Sequence, residues 1–132
     1  MDVLLDTHVW LWTQAQPEKL GAKTQRLLTS PETRLHVSPV STLEIARLVA
    51  GKLLAISVPL IQWVMDTLAD LDAQTLPLTH DIAIAAYALK DFHKDPADRQ
   101  LVATAQVNGL TLLTADERIL DSKKVRSFDA RL

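Results

Sequence analysis

Short apolar runs alternate along this chain with longer stretches whose apolar residues recur every three or four positions. Continuous runs bounded by turn residues are typical of buried strands, and the longer periodic stretches are typical of helices. Val3-Leu4-Leu5, which ends at the polar trio Asp6-Thr7-His8, is the first such run. The predicted strands are Val3–Leu5, Leu35–Val37, Leu110–Thr114 and Val125–Phe128, with Leu76–Leu78 as a weak strand or an extended link.

Helix signals fill the segments between these strands. Pro17 interrupts the first helix, and Gly51 and Asn108-Gly109 are stop signals for two later ones. Strands separated by helices need crossover connections, which favours a parallel sheet covered on both faces. We therefore expect one domain over residues 1–132, with a three-layer α/β/α fold around a mainly parallel sheet of four or five strands. The predicted helices are Val9–Thr13, Ala22–Leu28, Ser41–Ala50, Leu60–Leu71, Thr79 (as cap) to Leu89 and Asp95–Asn108, with a helical turn at Glu117–Leu120.

The amino-acid composition excludes several kinds of site and several classes of protein. The 132 residues include no cysteine, which excludes disulfide scaffolds, thiolate zinc sites and cysteine nucleophiles. No apolar run approaches the roughly 20 residues of a membrane span. The first residues carry Asp2 and Asp6 where a secretory signal has Lys or Arg, so we expect a cytoplasmic protein without a membrane association. The net charge of −2 does not by itself indicate a nucleic-acid partner.

Four acids fall at positions that this architecture directs toward one crevice. Asp6 follows the first strand, Asp116 follows the strand ending at Thr114, and Glu44 and Asp98 lie in the first turns of helices. In open parallel sheets, ligands bind outside the carboxyl ends of the strands. Asp98 also continues the apolar stripe of its own helix and should point inward.

Carboxylates that share a crevice repel one another and tend to take up protons. A divalent metal removes the conflict, and an all-oxygen acidic site suits Mg²⁺ or Mn²⁺. Metals held in this way support the attack of water on a phosphodiester. The chain has no His-x-x-x-His zinc pattern, no nucleophile-elbow sequence and no glycine-rich phosphate loop. Metal-assisted phosphodiester hydrolysis is the hypothesis that remains.

Each acid also has a purely structural explanation. Asp6 and Asp116 can cap the helices that follow them. Glu44 completes a capping box with Ser41, and Asp98 is favoured by the helix dipole. His8 is either a general base or an ordinary histidine. The basic residues Arg47, Lys52 and Arg99 either contact phosphates or solvate a face.

Four segments resemble the PIN domains of VapC-type toxins. They are Leu4–His8 (LLDTH), Ser41–Ala46 (STLEIA), Asp95–Ala105 (DPADRQLVATA) and Leu113–Asp116 (LTAD). Their order and spacing agree with the family over essentially the whole chain. The resemblance implies a compact α/β/α fold and a Mg²⁺- or Mn²⁺-dependent endoribonuclease that acts on RNA as the toxin of a toxin–antitoxin pair.

The resemblance also implies roles for particular residues. Asp6, Glu44, Asp98 and Asp116 match the catalytic, metal-binding acids of the family. Thr7 and Thr114 would be hydroxyls that orient the carboxylates, with Ser41 as a small polar neighbour. Asp95 can add to the ligands, although Asp98 is preferred because it precedes the apolar stripe as the family's acid does. The remaining RNA-contact candidates are Arg47, Lys52 and Arg99.

The implied partners are a small antitoxin protein and a second copy of the chain in a homodimer. Trp10–Trp12 and the amphipathic helix Leu60–Leu71 are candidate groove or dimer surfaces, or ordinary core. The alternative function is a catalytically silent PIN-fold module that binds RNA or a partner protein. A phosphotransfer domain that uses Asp6 as a nucleophile is disfavoured, because no second acid stands two residues further on.

Overall fold

The computed structural model describes all residues from 1 to 132 and has five parallel strands in a single central sheet. The strand order is β3-β2-β1-β4-β5, so the first strand lies in the middle of the sheet. The expected three-layer α/β/α fold is confirmed. The strands are β1 (Asp2–Leu5), β2 (Arg34–Val37), β3 (Gln74–Thr75), β4 (Thr111–Thr114) and β5 (Ser127–Asp129).

Seven α-helices and one 3₁₀ turn, Pro17–Lys19, connect the strands. The helices predicted at Leu60–Leu71 and Glu117–Leu120 have the predicted bounds, and the others differ at one or both ends. None of the helices combines the length and the apolar character needed to cross a membrane. The helices are α1 (Thr7–Ala15), α2 (Ala22–Thr29), α3 (Pro39–Ala50), α4 (Leu60–Leu71), α5 (His80–Ala88), α6 (Pro96–Asn108) and α7 (Glu117–Leu120).

The two faces of the sheet are covered by different helices. Val3 and Leu5 of β1 pack on one face with α1 and α4, where Trp10 is fully buried. Leu4 points to the other face and packs with α6, through Leu101. Helix α5 packs on the outer side of α6. The alternation of side chains along a strand accounts for this division between the two faces.

The order of the strands reverses direction at β1. β2 and β3 extend the sheet to one side of β1, and β4 and β5 extend it to the other. Such a reversal leaves a crevice at the carboxyl ends of the two strands where the direction changes. Here these strands are β1 and β4, and they end at Leu5 and Thr114.

Of the two alternatives predicted for Leu76–Leu78, the strand is wrong, and the residues form a link that follows β3. β3 consists of Gln74 and Thr75, and the ladder ends where the amide of Leu76 donates to the carbonyl of Val37 at 2.9 Å. Pro77 has no amide proton to continue the ladder. The last strand is likewise displaced, since it covers Ser127–Asp129 and begins after Val125.

The capping box predicted for Ser41 and Glu44 is also wrong. Helix α3 begins earlier, at Pro39, and its cap is Ser38, whose hydroxyl accepts from the amide of Val40 at 3.1 Å. Proline is favoured in the first turn because its missing amide proton has no partner there in any helix. Ser41 and Glu44 are thereby one turn inside the helix, with side chains that are free to make other contacts.

Candidate active site

A cleft of about 280 Å³ opens at the carboxyl ends of β1 and β4. All four acids singled out in the sequence lie around it, although they come from four separate segments of the chain. Its position is the one that the reversal of strand order predicts. The cleft is lined by Asp6, His8, Trp12, Glu44, Asp95, Asp98, Ala115, Asp116 and Arg118.

Asp6 forms the floor of the cleft. It caps helix α1, and one carboxylate oxygen, Oδ1, accepts from the amide of Thr7 at 2.7 Å. The other oxygen, Oδ2, accepts from the hydroxyl of Thr114 at 2.7 Å. Only 6% of Asp6 is exposed. Burial raises the pKa of Asp6 above its ordinary value, against the lowering effect of both hydrogen bonds.

Glu44 is held by the helix that follows β1. Its Oε1 accepts from the hydroxyl of Thr7 at 2.5 Å. The same Thr7 oxygen lies 2.9 Å from the hydroxyl of Ser41. Because the single hydroxyl proton of Thr7 goes to the carboxylate, Ser41 is the donor in the second contact. Desolvation raises the pKa of Glu44, and the nearby charge of Asp6 adds to the effect.

Asp98 lies in the first turn of α6 and is 8% exposed. The expectation that it points inward is confirmed. Its Oδ2 lies 2.7 Å from Nε2 of His93 and accepts from Nη2 of Arg118 at 3.3 Å. Burial raises the pKa of Asp98 to about 6, and the charges of Asp95 and Asp6 contribute to the rise.

Asp116 caps the short helix α7 and is surrounded by donors from Arg118. Its Oδ1 accepts from the Arg118 amide at 2.9 Å and from Nε at 3.3 Å. Its Oδ2 accepts from Nη2 at 3.0 Å. Partial burial raises the pKa of Asp116, but the hydrogen bonds and the charge of Arg118 outweigh it and hold that pKa below its ordinary value.

Thr114 connects the two ends of the cleft. Its hydroxyl donates to Asp6 and accepts from the amide of Asp116 at 3.0 Å. We name the two ends by the donors that hold their acids. The hydroxyl side comprises Asp6 and Glu44 with Thr7 and Ser41, and the arginine side comprises Asp98 and Asp116 with His93 and Arg118.

Comparison with known proteins identifies the family. A family model described as the PIN domain matches residues 3–125. The chain belongs to the PIN domain family. Ribonuclease VapC22 of Mycobacterium tuberculosis is 33% identical over 125 residues, which cover 94% of each chain.

Solved structures agree on the fold of this PIN domain. The structure of VapBC2 from Rickettsia felis bound to a DNA fragment from their promoter has a TM-score of 0.67 and 12% identity, covering 97% of this chain and 98% of that one. A toxin–antitoxin complex from Klebsiella pneumoniae has a TM-score of 0.66 and 19% identity, covering 97% of each chain. At these identities the likeness concerns the fold alone.

Two residues that contact the acids of this PIN domain, Arg118 in the cleft and His93 beside it, carried no clear signal in the sequence. His93 belongs to the loop before α6, and Arg118 stands two residues after Asp116 in α7. Arg118 donates to two of the four acids, yet it is separated from Asp98 by 20 positions. Only its closeness to Asp116 along the chain pointed toward the cleft.

Asp95 and the basic candidates have different environments. Asp95 is exposed at the cleft, caps α6 and accepts from the amide of Asp98 at 3.0 Å. Arg47 is exposed in an adjoining groove of about 500 Å³ between α3 and α6, and Lys52 is exposed just after α3. Arg99 instead donates to backbone carbonyls at the end of α5 and in the next loop, which gives it a structural role that the sequence did not indicate. The carbonyls are those of Ala86, Leu89 and Phe92.

The two tryptophans of α1 also differ. Trp10 is core: its ring packs 4.9 Å from that of Trp63, and its indole donates to the hydroxyl of Thr67 at 3.0 Å. Trp12 is half-buried and lines the cleft. Of these two tryptophans, only Trp12 is therefore part of the cleft.

The donor set of this PIN domain suits a hard divalent cation, since every acid offers oxygen ligands and three of the four have raised pKa values. No three acidic or histidine side chains are arranged closely enough to coordinate one ion. The expectation that a divalent metal removes the repulsion between the acids is thus incomplete. Hydroxyls, backbone amides and Arg118 offset part of it.

Proposed function

We propose that this chain is a metal-dependent endoribonuclease, and that it is the toxin of a type II toxin–antitoxin pair. One observation carries the proposal. Four acids from four segments of the chain line a single cleft where the strand order reverses. All four stand at positions that match the family's motifs. Membership of the PIN family and the 33% identity to a named ribonuclease support the same activity.

The catalytic and metal-binding residues in this proposal are Asp6, Glu44, Asp98 and Asp116, and the metal is Mg²⁺ or Mn²⁺. A bound divalent cation supplies activation of water and offsets charge on the phosphate oxygens. Thr7 and Thr114 fix the carboxylates of Glu44 and Asp6, because each hydroxyl donates to one oxygen, and both carboxylates keep acceptor positions for a metal.

The substrate contacts in the proposal come from exposed cations on α3 and just after it. Arg47 and Lys52 are exposed, and Arg47 lines the groove that shares Glu44 and Asp95 with the cleft. Contacts of this type bind phosphates and position the RNA without reading its sequence. Arg99 is not included, since three backbone carbonyls already accept its protons.

We further propose a cytoplasmic protein that forms a homodimer and is neutralised by a small antitoxin. An apolar groove of about 420 Å³ runs between α3 and α4 and includes Leu43, Val64 and Met65. Met65 is 60% exposed and Ile61 of the same helix is 70% exposed. The helix predicted as a partner surface thus presents apolar side chains outward, which supports this part of the proposal.

The decisive experiment is hydrolysis of a structured RNA by the purified chain with Mn²⁺ or Mg²⁺, with and without a chelator. Asp6→Asn is expected to lower the rate by about a hundredfold or more, since it weakens a metal ligand. The matched control is Asp2→Asn, at the other end of the same strand and exposed to solvent. Equal cleavage by Asp6→Asn and the unmodified chain contradicts the proposal.

A second function is favoured by one contact. Arg118 already pairs with Asp98 and Asp116, as it would in a catalytically silent module that binds RNA or a partner protein. Such a module binds RNA in a filter assay and leaves it intact with every divalent metal tested. Cleavage that depends on added metal excludes it.

A further inference from the structure

Arg118 lies where a cation shared by Asp98 and Asp116 would lie. Its Nη2 is 3.3 Å from Oδ2 of Asp98 and 3.0 Å from Oδ2 of Asp116. One terminal nitrogen therefore contacts carboxylates from two different helices. No other lysine or arginine pairs with any of the four acids of the cleft.

This arrangement uses most of the acceptor capacity of Asp116. A carboxylate has about four acceptor positions. Three bonds to Asp116 come from Arg118 alone, two at Oδ1 and one at Oδ2. Oδ2 of Asp98 is likewise occupied, by Arg118 and His93. The guanidinium and a divalent cation would thus compete for the same oxygens, and their like charges exclude each other at such distances.

The guanidinium is also able to leave. The side chain of Arg118 is 58% exposed, so most of its surface already contacts solvent. The bond from Arg118 to Asp116 is exposed to solvent and is therefore expected to be weak, whereas its 3.3 Å contact with Asp98 is partly buried. Asp98 itself is nearly buried in the first turn of α6.

We propose that Arg118 is a resident cation of the candidate metal site, which a divalent cation must displace in order to bind Asp98 and Asp116 together. The inference rests on the proposed function, since it takes these acids as metal ligands. It assigns to this chain a built-in competitor that raises the metal concentration at which the site fills.

The test measures Mn²⁺ binding to the RNA-free, full-length chain, with loss of the electron paramagnetic resonance signal of free Mn²⁺ as the readout. Arg118→Gln and Arg118→Ala are expected to bind Mn²⁺ about three- to tenfold more tightly than the unmodified chain. Arg131→Gln is the matched control. Arg131 also bridges two carboxylates, those of Glu117 and Asp129, but lies outside the cleft, and its removal changes the net charge equally.

Thermal melts without metal establish that each variant is folded. If Arg118→Ala does not fold, the test uses Arg118→Gln, which keeps a neutral donor at the position. Unchanged or weaker Mn²⁺ binding by Arg118→Gln overturns the inference, because Arg118 then positions Asp116 instead of competing with the metal. An equal gain in Arg131→Gln also overturns it, since net charge then explains the effect. The RNA assay separates the two proposals. If the unmodified chain cleaves RNA but Arg118→Gln leaves the Kd for Mn²⁺ unchanged, the proposed function stands and the proposed competition by Arg118 is wrong.

Discussion

On the hydroxyl side of the cleft, Asp6 and Glu44 accept from neutral donors, whereas on the arginine side Asp98 and Asp116 share a guanidinium. Neutral donors fix the orientation of a carboxylate without cancelling its charge. Burial keeps the pKa values of Asp6 and Glu44 raised; on the arginine side burial also raises the pKa of Asp98, and Arg118 lowers only that of the less buried Asp116. The repulsion between the acids is therefore reduced in two ways. The hydroxyl side orients its carboxylates and keeps their negative charge, and the arginine side neutralises part of that charge.

The largest effect is expected from removal of the Thr114 hydroxyl, which contacts both sides of the cleft. Thr114→Val deletes the donor to Asp6 and the acceptor for the Asp116 amide in a fully buried position. We expect about a hundredfold weaker Mn²⁺ binding, at the upper end of effects of residues that orient metal ligands. Thr111→Val, at the other end of β4, is the matched control, and calorimetric titration is the measurement. A Mn²⁺ affinity only a fewfold weaker would show that the acids of the two sides are positioned independently.

The next largest effect is expected for Asp98, through the pH dependence of the free energy of unfolding. Because the pKa of Asp98 is raised to about 6, the native chain binds a proton more readily than the unfolded chain between about pH 4 and 6. The free energy of unfolding therefore falls as pH rises through this window. Two pKa units correspond to an upper limit of about 3 kcal/mol. Asp98→Asn is expected to stabilise the metal-free chain by about 1–2 kcal/mol at pH 7.5, since lost contacts to Arg118 and His93 reduce the gain.

The stability prediction is checked by urea unfolding in a chelator over pH 4 to 8. The gain should shrink steadily toward pH 4, where the carboxyl group of the unmodified chain is protonated in the native state and about half protonated in the unfolded state. Asp121→Asn, an exposed acid after α7, is the control and should show no such pH dependence. A gain for Asp98→Asn that stays constant across the range contradicts the prediction.

A smaller effect is expected from a change confined to the hydroxyl side. Thr7→Val removes the donor to Glu44 and leaves the buried hydroxyl of Ser41 without its partner. We expect about tenfold weaker Mn²⁺ binding, because one ligand loses its orientation and Asp6 keeps both of its donors. Thr13→Val on the same helix serves as control. Wild-type affinity in Thr7→Val would mean that Glu44 needs no fixed orientation.

The smallest effect is expected for the stability contribution of Arg118. Arg118→Gln should change the free energy of unfolding by less than about 1 kcal/mol, because the Arg118 side chain is 58% exposed and Gln keeps a donor at the position. Arg99→Gln provides the contrast: it removes bonds to three carbonyls, and a loss of about 2 kcal/mol is expected. Chemical denaturation of both variants measures the difference. A loss for Arg118→Gln as large as for Arg99→Gln would make Arg118 a structural residue.

The sequence predicted best the parts of the fold that local pattern determines. β1 and β4 are apolar runs, α4 has a clear stripe, and the periodicity of α6 correctly turned Asp98 inward. The position of β3 was not predictable in this way. Two residues carry no pattern of their own, and the pairing of His36 with Gln74 depends on how α4 delivers the chain to the sheet edge.

The candidate site follows the same division. The four acids were recognisable because their motifs are local and the strand ends gather them. The contacts that orient them were not, since the bond from Thr7 to Glu44 joins residues 37 positions apart. The assignment of Glu44 to a capping box failed because Pro39 allowed the helix to begin a turn earlier. Arg118 and His93 meet Asp98 only through the paths of two loops, which no periodicity encodes.

The two outermost strands of the sheet are very short, with two residues in β3 and three in β5. An incoming extended peptide would find few unpaired amides and carbonyls along either border, and short borders also protect a protein from aggregating edge to edge. Recognition by strand addition is therefore disfavoured for this molecule. Its associations, with itself or with other chains, are expected to use the outward faces of the helices.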